Sequence, residues 1–162
     1  MSLDVTWPSL GHARLAAFVG DWRGPESLRE TRWQKPGEAE GIYVARPDLG
    51  GQYVLQDYTQ LRGGAVAFEG RGVFAYDQAE KLHKLYWFDS LGFAPPSPAS
   101  GRWEGDALTL RRPSKRGIAR HVYEFDGADR YVLRIGFSAD GGGSWSEVLT
   151  GNYARVGRVE GN

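Results

Sequence analysis

The residues that could do chemistry in this chain are few and scattered. Three histidines, at positions 12, 83 and 121, include no close pair, and there is no cysteine. The sequence therefore gives no cluster of histidine or thiolate ligands for a metal ion. It also contains no Gly-x-Ser-x-Gly elbow, no P-loop and no His-Glu-x-x-His motif. These observations favour a binding protein over an enzyme, and they predict no cofactor.

Three polar residues could form a ligand anchor if the fold brings them together. Asp57 lies on the more apolar side of an alternating segment, the side that faces inward in a sheet. Tyr153 and Arg155 share one side of the last segment and could present a hydroxyl and a guanidinium to a ligand carboxylate. A buried Asp57 carboxylate needs a cation or a donor. We predict that all three converge; the alternatives are a structural Asp57–Arg155 ion pair, or side chains that point to solvent.

Large apolar and aromatic residues concentrate on one side of four other segments. We expect them to line an interior void of roughly 300 Å3 or more, the size of a small-molecule site. Its predicted lining is Phe68, Phe74, Tyr123, Tyr131 and Ile135. His121 shares a side with Tyr123 and is interpreted as a ligand-contacting residue or as a hydrogen-bonded part of the wall.

Turn signals recur about every ten to fourteen residues, and the stretches between them are rich in Tyr, Val, Phe, Leu and Trp. That rhythm predicts an all-β fold, a single antiparallel up-and-down β-barrel. A short helix with Ser9 as its N-cap precedes the sheet and ends at Gly20. Strand 81–90 shows no clear inward side, and the proline-rich segment 91–98 is a predicted rim loop or lid. About ten strands are expected, near 20–29, 38–48, 51–62, 65–77, 81–90, 98–104, 106–112, 117–126, 129–139 and 144–157.

Length and charge restrict the class of protein. The 162 residues suit one domain, expected over 8–157 with tails at 1–7 and 158–162. Twenty basic residues balance twenty acidic ones, so a nucleic-acid partner is not expected. No apolar run approaches the length of a membrane span or of a secretory signal. Together with the lack of cysteine, this predicts a cytoplasmic protein.

Several short motifs carry a resemblance to a known family. They are Gly20-Asp21-Trp22-Arg23-Gly24, Leu49-Gly50-Gly51, Gly72 to Asp77, Tyr86 to Ser90, and the closing Tyr153-x-Arg155. In this order they resemble a bacterial family of domains of unknown function with a lipocalin-like (calycin) barrel, over residues 8 to 157. The resemblance implies the barrel fold, in which Trp22 is a structural residue, and implies no established reaction.

The segment Gly20-x-Trp22-x-Gly24 is also similar to nitrobindin-like haem barrels. In those barrels the haem histidine lies near the C-terminus, whereas residues 122–162 of this chain contain no histidine. Only His121 could take the place of that histidine in this chain. We expect no haem binding through it.

The segment Ser138 to Trp145 matches the Asp-box of sialidases position by position. A single copy cannot build a propeller, which needs several four-stranded blades. We therefore interpret Asp140 and Trp145 as structural: Asp140 accepts backbone N–H groups of the turn and Trp145 packs on the hairpin.

The leading functional hypothesis is an interior site for a small apolar or amphipathic molecule, since a closed barrel of this size encloses space. The second is a haem-binding or enzymatic barrel of the nitrobindin kind. The third is a barrel filled by its own side chains that acts through its surface. A homodimer is compatible with each of them.

Overall fold

The computed structural model describes residues 9–157, and it is an all-β barrel with a short N-terminal helical segment and a 3₁₀ turn at Leu49–Gly51. All neighbouring strands run antiparallel, and the first strand pairs with both the second and the last, so the sheet is closed. The predicted fold class is confirmed. The strands are β1 (Gly20–Leu28), β2 (Gly37–Asp48), β3 (Tyr53–Arg62), β4 (Ala65–Asp77), β5 (Leu82–Asp89), β6 (Ala99–Glu104), β7 (Ala107–Ser114), β8 (Gly117–Asp126), β9 (Arg130–Ser138) and β10 (Ser146–Arg155).

The N-terminal segment closes one end of the barrel. Helix α1 (Leu10–Arg14) begins after Ser9, whose hydroxyl accepts the His12 backbone N–H, and a 3₁₀ helix (Leu15–Phe18) continues it. We call residues 10–18 the plug. Arg14 donates to Gly105 O at 2.7 Å, and His83 Nε2 lies 2.9 Å from Gly11 O, so the plug is fixed at the end formed by the turns 78–81, 105–106 and 127–129. That is the closed end. The open end carries the turn 63–64 and the loops 29–36, 90–98, 115–116 and 139–145.

The seam between β5 and β6 is the weakest in the wall. Only three residue pairs join them, His83 to Leu85 with Gly101 to Ala99. Toward the open end β5 continues to Asp89 without β6 as a neighbour, and residues 90–98 connect the two strands. Residues 90–98 form the irregular connection that the prolines of this segment predict.

The inward side of β3 differs from the prediction. Its buried side holds Val54, Gln56, Tyr58 and Gln60, so the side that carries Asp57, which was predicted to face inward, faces outward. The orientation of β5, which the sequence left open, has His83, Leu85 and Trp87 inside and Tyr86 and Phe88 exposed outside.

The Asp-box hairpin has the predicted geometry. Asp140 Oδ1 accepts the Ser144 N–H at 2.8 Å and the Ser138 hydroxyl at 2.8 Å, while Gly141 and Gly142 adopt positive φ. These bonds, first of all those from Ser144, lower the pKa of Asp140 to about 2. The Trp145 ring lies outside the barrel, with Arg120 Cζ 3.8 Å from its centroid.

Asp140→Ala should lower the melting temperature by about 3–6 °C, because the turn donors lose their acceptor. The wild-type contribution is present above pH 3.8 and is lost as the pH falls toward 2, so the difference should narrow in acid. Differential scanning calorimetry at pH 7 and pH 2.5 measures it, with Asp126→Ala in another turn as control. A loss of ligand binding at unchanged melting temperature would favour a carbohydrate-binding role instead.

Within residues 9–157, no helix is both long and apolar enough to cross a membrane.

Candidate functional site

The half of the barrel interior next to the closed end is packed with aromatic rings. Phe18, at the end of the plug, is fully buried and stacks on Phe74 with ring centroids 4.1 Å apart. Tyr123 and Phe125 meet Phe18 edge-on at 5.1 and 5.3 Å, and Tyr131 lies 4.8 Å from Trp22. The plug therefore fills this half of the barrel as well as covering its end.

This packing corrects the predicted void. Phe74, Tyr123 and Tyr131 are each at most 2% exposed, so the expectation that they line open space is wrong for these three rings. The physical reason is Phe18, which the sequence analysis placed on the short helix before the sheet and did not assign to the interior. Phe68 and Ile135, the other two expected lining residues, are half-buried in the half next to the open end.

A carboxyl group is buried at the centre of the barrel. Glu26 of β1 is 1% exposed and is surrounded by hydroxyl and amide donors. Tyr58 donates to its two oxygens at 2.7 and 2.8 Å, Gln60 Nε2 donates to Oε1 at 3.2 Å, and Tyr153 donates to Oε2. We call these four residues the Glu26 cluster. No salt bridge to Glu26 is formed within the described chain.

Two glycines on neighbouring strands make room for this carboxyl. A Cβ at Gly41 of β2 would overlap the Glu26 carboxylate, and one at Gly151 of β10 would overlap the Tyr153 hydroxyl. Burial raises the pKa of Glu26, and the hydrogen bonds from Tyr153, Tyr58 and Gln60 oppose that rise in part. Glu26 therefore holds its proton to a higher pH than an exposed glutamate does.

Other buried polar atoms around the centre of the barrel have unmet hydrogen-bonding capacity. Both amide atoms of Gln56, the Tyr131 hydroxyl and His121 Nδ1 have no hydrogen-bond partner among residues 9–157. Native proteins satisfy the large majority of such groups. Such interior groups bind ordered water or a ligand in native proteins.

The half next to the open end is less tightly packed. Phe68, Trp87, Ile135 and His121 face inward and are half-buried, in contrast to the fully buried rings below them. Burial, and next the nearby Arg112, lower the pKa of His121 to about 4, so its imidazole is neutral at pH 7. This half combines apolar walls with a neutral polar group.

Three loops meet above the open end. The Trp33 ring of loop 29–36 lies edge-on to the Phe93 ring of loop 90–98, with centroids 5.9 Å apart. Arg116 of the β7–β8 turn places Cζ 4.9 Å from the Trp33 ring centroid. Trp33 and Phe93 are both about half exposed, so these loops narrow the opening without burying their own rings.

Asp57 does not join the site. Its carboxylate lies on the outer wall, 3.4 Å from Arg46 and 3.3 Å from Arg71. The prediction that it faces inward is wrong, because the rule that the apolar side faces inward fails for β3. The alternative ion pair with Arg155 is not formed either.

Arg155 lies at the closed end and performs a structural role there. Its guanidinium covers the Trp22 ring at 4.2 Å, donates to Ala128 O at 3.0 Å and to Val19 O, and pairs with Asp129 at 3.2 Å. It thus connects β10 to Val19, the residue that follows the plug, and to the β8–β9 turn. Of the three predicted anchor residues, only Tyr153 faces the interior, where it binds Glu26.

The sequence interpretation missed Glu26, Tyr58, Gln60 and Arg112. A usable signal was present for Glu26, which alternates with Trp22, Gly24 and Leu28 and therefore shares the side of an expected wall tryptophan. Glycines within the neighbouring strands also indicate a close approach. The alternation of side chains along a strand also indicates that Arg112 faces inward, because it lies two residues beyond the inward-facing Leu110.

Two surface clefts, of about 280 and 440 Å3, flank the plug at the closed end and lie outside the interior. Among the described residues no group of three or more His, Asp or Glu side chains could hold a metal ion. His121 also does not fit the role of a haem ligand, since a metal-bound histidine almost always donates its other ring N–H and Nδ1 here has no acceptor.

Comparisons with known proteins agree with this geometry. The solved structure of Rv2717c from M. tuberculosis superposes with a TM-score of 0.67 at 15% identity, covering 91% of this chain and 98% of that one. The S-type phycobiliprotein lyase CPES from Guillardia theta gives a TM-score of 0.64 at 12% identity, covering 95% and 99%. These similarities are to the lipocalin-like barrel fold. No curated protein matches the chain.

The profile of one family, DUF1579, described as a protein of unknown function, matches residues 8–155. The match covers almost the whole chain, as the resemblance noted from the sequence implied. The chain therefore belongs to the DUF1579 family of lipocalin-like β-barrels.

Proposed function

We propose that this protein binds a small apolar or amphipathic molecule in the half of the barrel next to the open end. The observation that carries the proposal is the set of buried interior polar atoms without partners, on Gln56, Tyr131 and His121, below a half-exposed apolar wall. Such a combination supplies contact area from the wall and orientation from a few polar groups.

The division of the interior supports the location. The packed rings around Phe18 exclude a ligand from the closed half, whereas Phe68, Trp87 and Ile135 keep accessible surface in the open half. The β5–β6 seam has the fewest ladder pairs in the wall. Together with the loops that carry Trp33 and Phe93 at the open end, it is the natural route for a ligand.

The fold neighbours, one of which is a phycobiliprotein lyase, are compatible with this proposal. At 12% identity that similarity concerns the fold, so no reaction is carried over. A catalytic role has no support from the described residues, in which the inward groups form hydrogen bonds with one another or have none.

Nile red, a neutral dye whose fluorescence rises in apolar surroundings, tests the proposal. We expect saturable binding at one dye per chain, and loss of most of it in Ile135→Trp, which fills the open half. Arg134→Trp, the adjacent outward position on β9, is the matched control and should bind as wild type. Native mass spectrometry of freshly purified protein should also reveal a co-purified small molecule.

Two outcomes would contradict the proposal. Dye binding that persists unchanged in Ile135→Trp would place the site outside the barrel. No saturable binding at all would favour a filled barrel that acts through its surface. For the haem alternative, hemin titration should give no stoichiometric Soret shift that depends on His121; a shift lost in His121→Ala would restore that alternative.

A further inference from the structure

One arginine faces the interior without a partner. Arg112 of β7 follows Leu108 and Leu110 on the same side of the strand, and both leucines are fully buried inside the barrel. Arg112 is half-buried and pairs across the ladder with Ala119, one step nearer the open end than the Leu110–His121 pair. Its charge also acts on the His121 ring, which faces the interior.

The chain offers this guanidinium no counter-charge. Arg112 forms no ion pair and no side-chain hydrogen bond among residues 9–157. The inward carboxylate of β5, Asp89, is already occupied, since it accepts from Trp87 Nε1 and from the Leu91 N–H, each at 3.0 Å. Glu26 is enclosed by its own donors lower in the barrel.

The Arg112 guanidinium has no acceptor in the described chain, and its nitrogens are not fully buried, so an anionic group can reach them. Such a group gains strong charge-assisted hydrogen bonds, two of them in parallel when it is a carboxylate. The apolar surfaces of Phe68, Trp87 and Ile135 are in the same half and suit the rest of an amphipathic molecule.

We propose that Arg112 binds the anionic head group of the interior ligand, so that the barrel selects carboxylate-bearing amphipathic molecules over neutral ones. This inference rests on the proposed function and adds the class of the ligand. The neutral His121 ring, one ladder step below, is the adjacent polar contact for the same head group.

Isothermal titration with sodium dodecanoate and with dodecan-1-ol, both below the concentration at which they aggregate, tests the inference. The two probes share the chain and differ in the charge of the head group. In wild type we expect dodecanoate to bind at least tenfold more tightly. In Arg112→Leu, dodecanoate should weaken by thirtyfold or more while dodecan-1-ol changes by less than threefold. Arg112→Lys keeps the charge but lacks the planar guanidinium. Its affinity for dodecanoate should lie between those of wild type and Arg112→Leu.

Arg111→Leu is the matched control, because Arg111 is the next residue on β7, points outward and should change neither affinity. The ligand-free melting temperature of Arg112→Leu should equal or exceed that of wild type, which shows that the variant folds. Equal binding of both probes to wild type, or an equal loss of both in Arg112→Leu, overturns the inference and leaves the interior site intact. Failure of both probes and of Nile red to bind wild type overturns the proposed function itself.

Discussion

Phe18→Ala should lower the free energy of unfolding by about 3–5 kcal/mol, the usual cost of removing a fully buried phenylalanine ring. Phe18 contacts rings from β4, β6, β8 and β9, so one substitution removes contacts to four strands at once. Those strands are fixed by ladder bonds and cannot collapse into the space, which places the cost in the upper part of the range. Urea unfolding followed by near-ultraviolet circular dichroism measures it.

Leu10→Ala is the control for this substitution. Leu10 belongs to the same plug but is 89% exposed, so its truncation should change the free energy of unfolding by less than about 0.5 kcal/mol. The void left by Phe18→Ala is lined by apolar ring faces, so benzene should raise the melting temperature of the variant and leave wild type unchanged. A cost below about 1 kcal/mol would mean that the plug does not hold the closed half together.

The fold could be predicted because its signals are local. Hairpin turns such as Gly63-Gly64 and Gly105-Asp106 need positive φ at glycine, and both glycine turns have it in the structure. Ten strands with short connections then leave few arrangements other than a closed up-and-down sheet. None of these steps needs knowledge of which side of a strand is buried.

The site could not be predicted by the same means, because the apolar-inward rule assumes an apolar interior. In β3 the interior side carries Gln56 and Gln60, while Leu55 and Asp57 lie outside. The side with more apolar residues is therefore the wrong one there. The rule works in β8 and β9, where Tyr123, Tyr131 and Ile135 face inside as expected.

The plug posed a different difficulty. Its apolar pattern indicates a helix with one buried side, but it does not show that Phe18 enters the barrel between β4 and β8. That placement depends on the space left by the other rings, a property of the closed sheet and not of the segment. A void was therefore predicted where the chain itself supplies the filling.

Glu26→Gln should stabilise the protein increasingly as the pH rises from 4 to 8. The pKa of Glu26 is raised in the folded state, so between the unfolded pKa near 4.5 and the folded value the native state binds more protons. The wild-type free energy of unfolding therefore falls across that window, whereas the amide does not titrate. Glutamine keeps an acceptor for the tyrosine hydroxyls and has nearly the same shape.

The advantage of Glu26→Gln over wild type should grow from pH 4 to pH 8, because wild type loses stability as the carboxyl ionises and the amide does not. Urea unfolding at pH 4, 6 and 8 measures it. Glu38→Gln, an exposed position on β2, should stay within about 0.5 kcal/mol of wild type throughout. If the free energy of unfolding of Glu26→Gln instead falls relative to wild type as the pH rises, Glu26 is ionised in the folded protein. Its hydrogen bonds would then outweigh its burial.

The protonation state of Glu26 also matters for the ligand. An ionised carboxylate at the base of the open half would repel the carboxylate that Arg112 is proposed to bind, whereas a protonated one leaves Arg112 as the dominant interior charge. Dodecanoate affinity should therefore weaken above the folded pKa of Glu26 in wild type and stay level over the same range in Glu26→Gln. The stability and the selectivity of this barrel would then depend on the same proton.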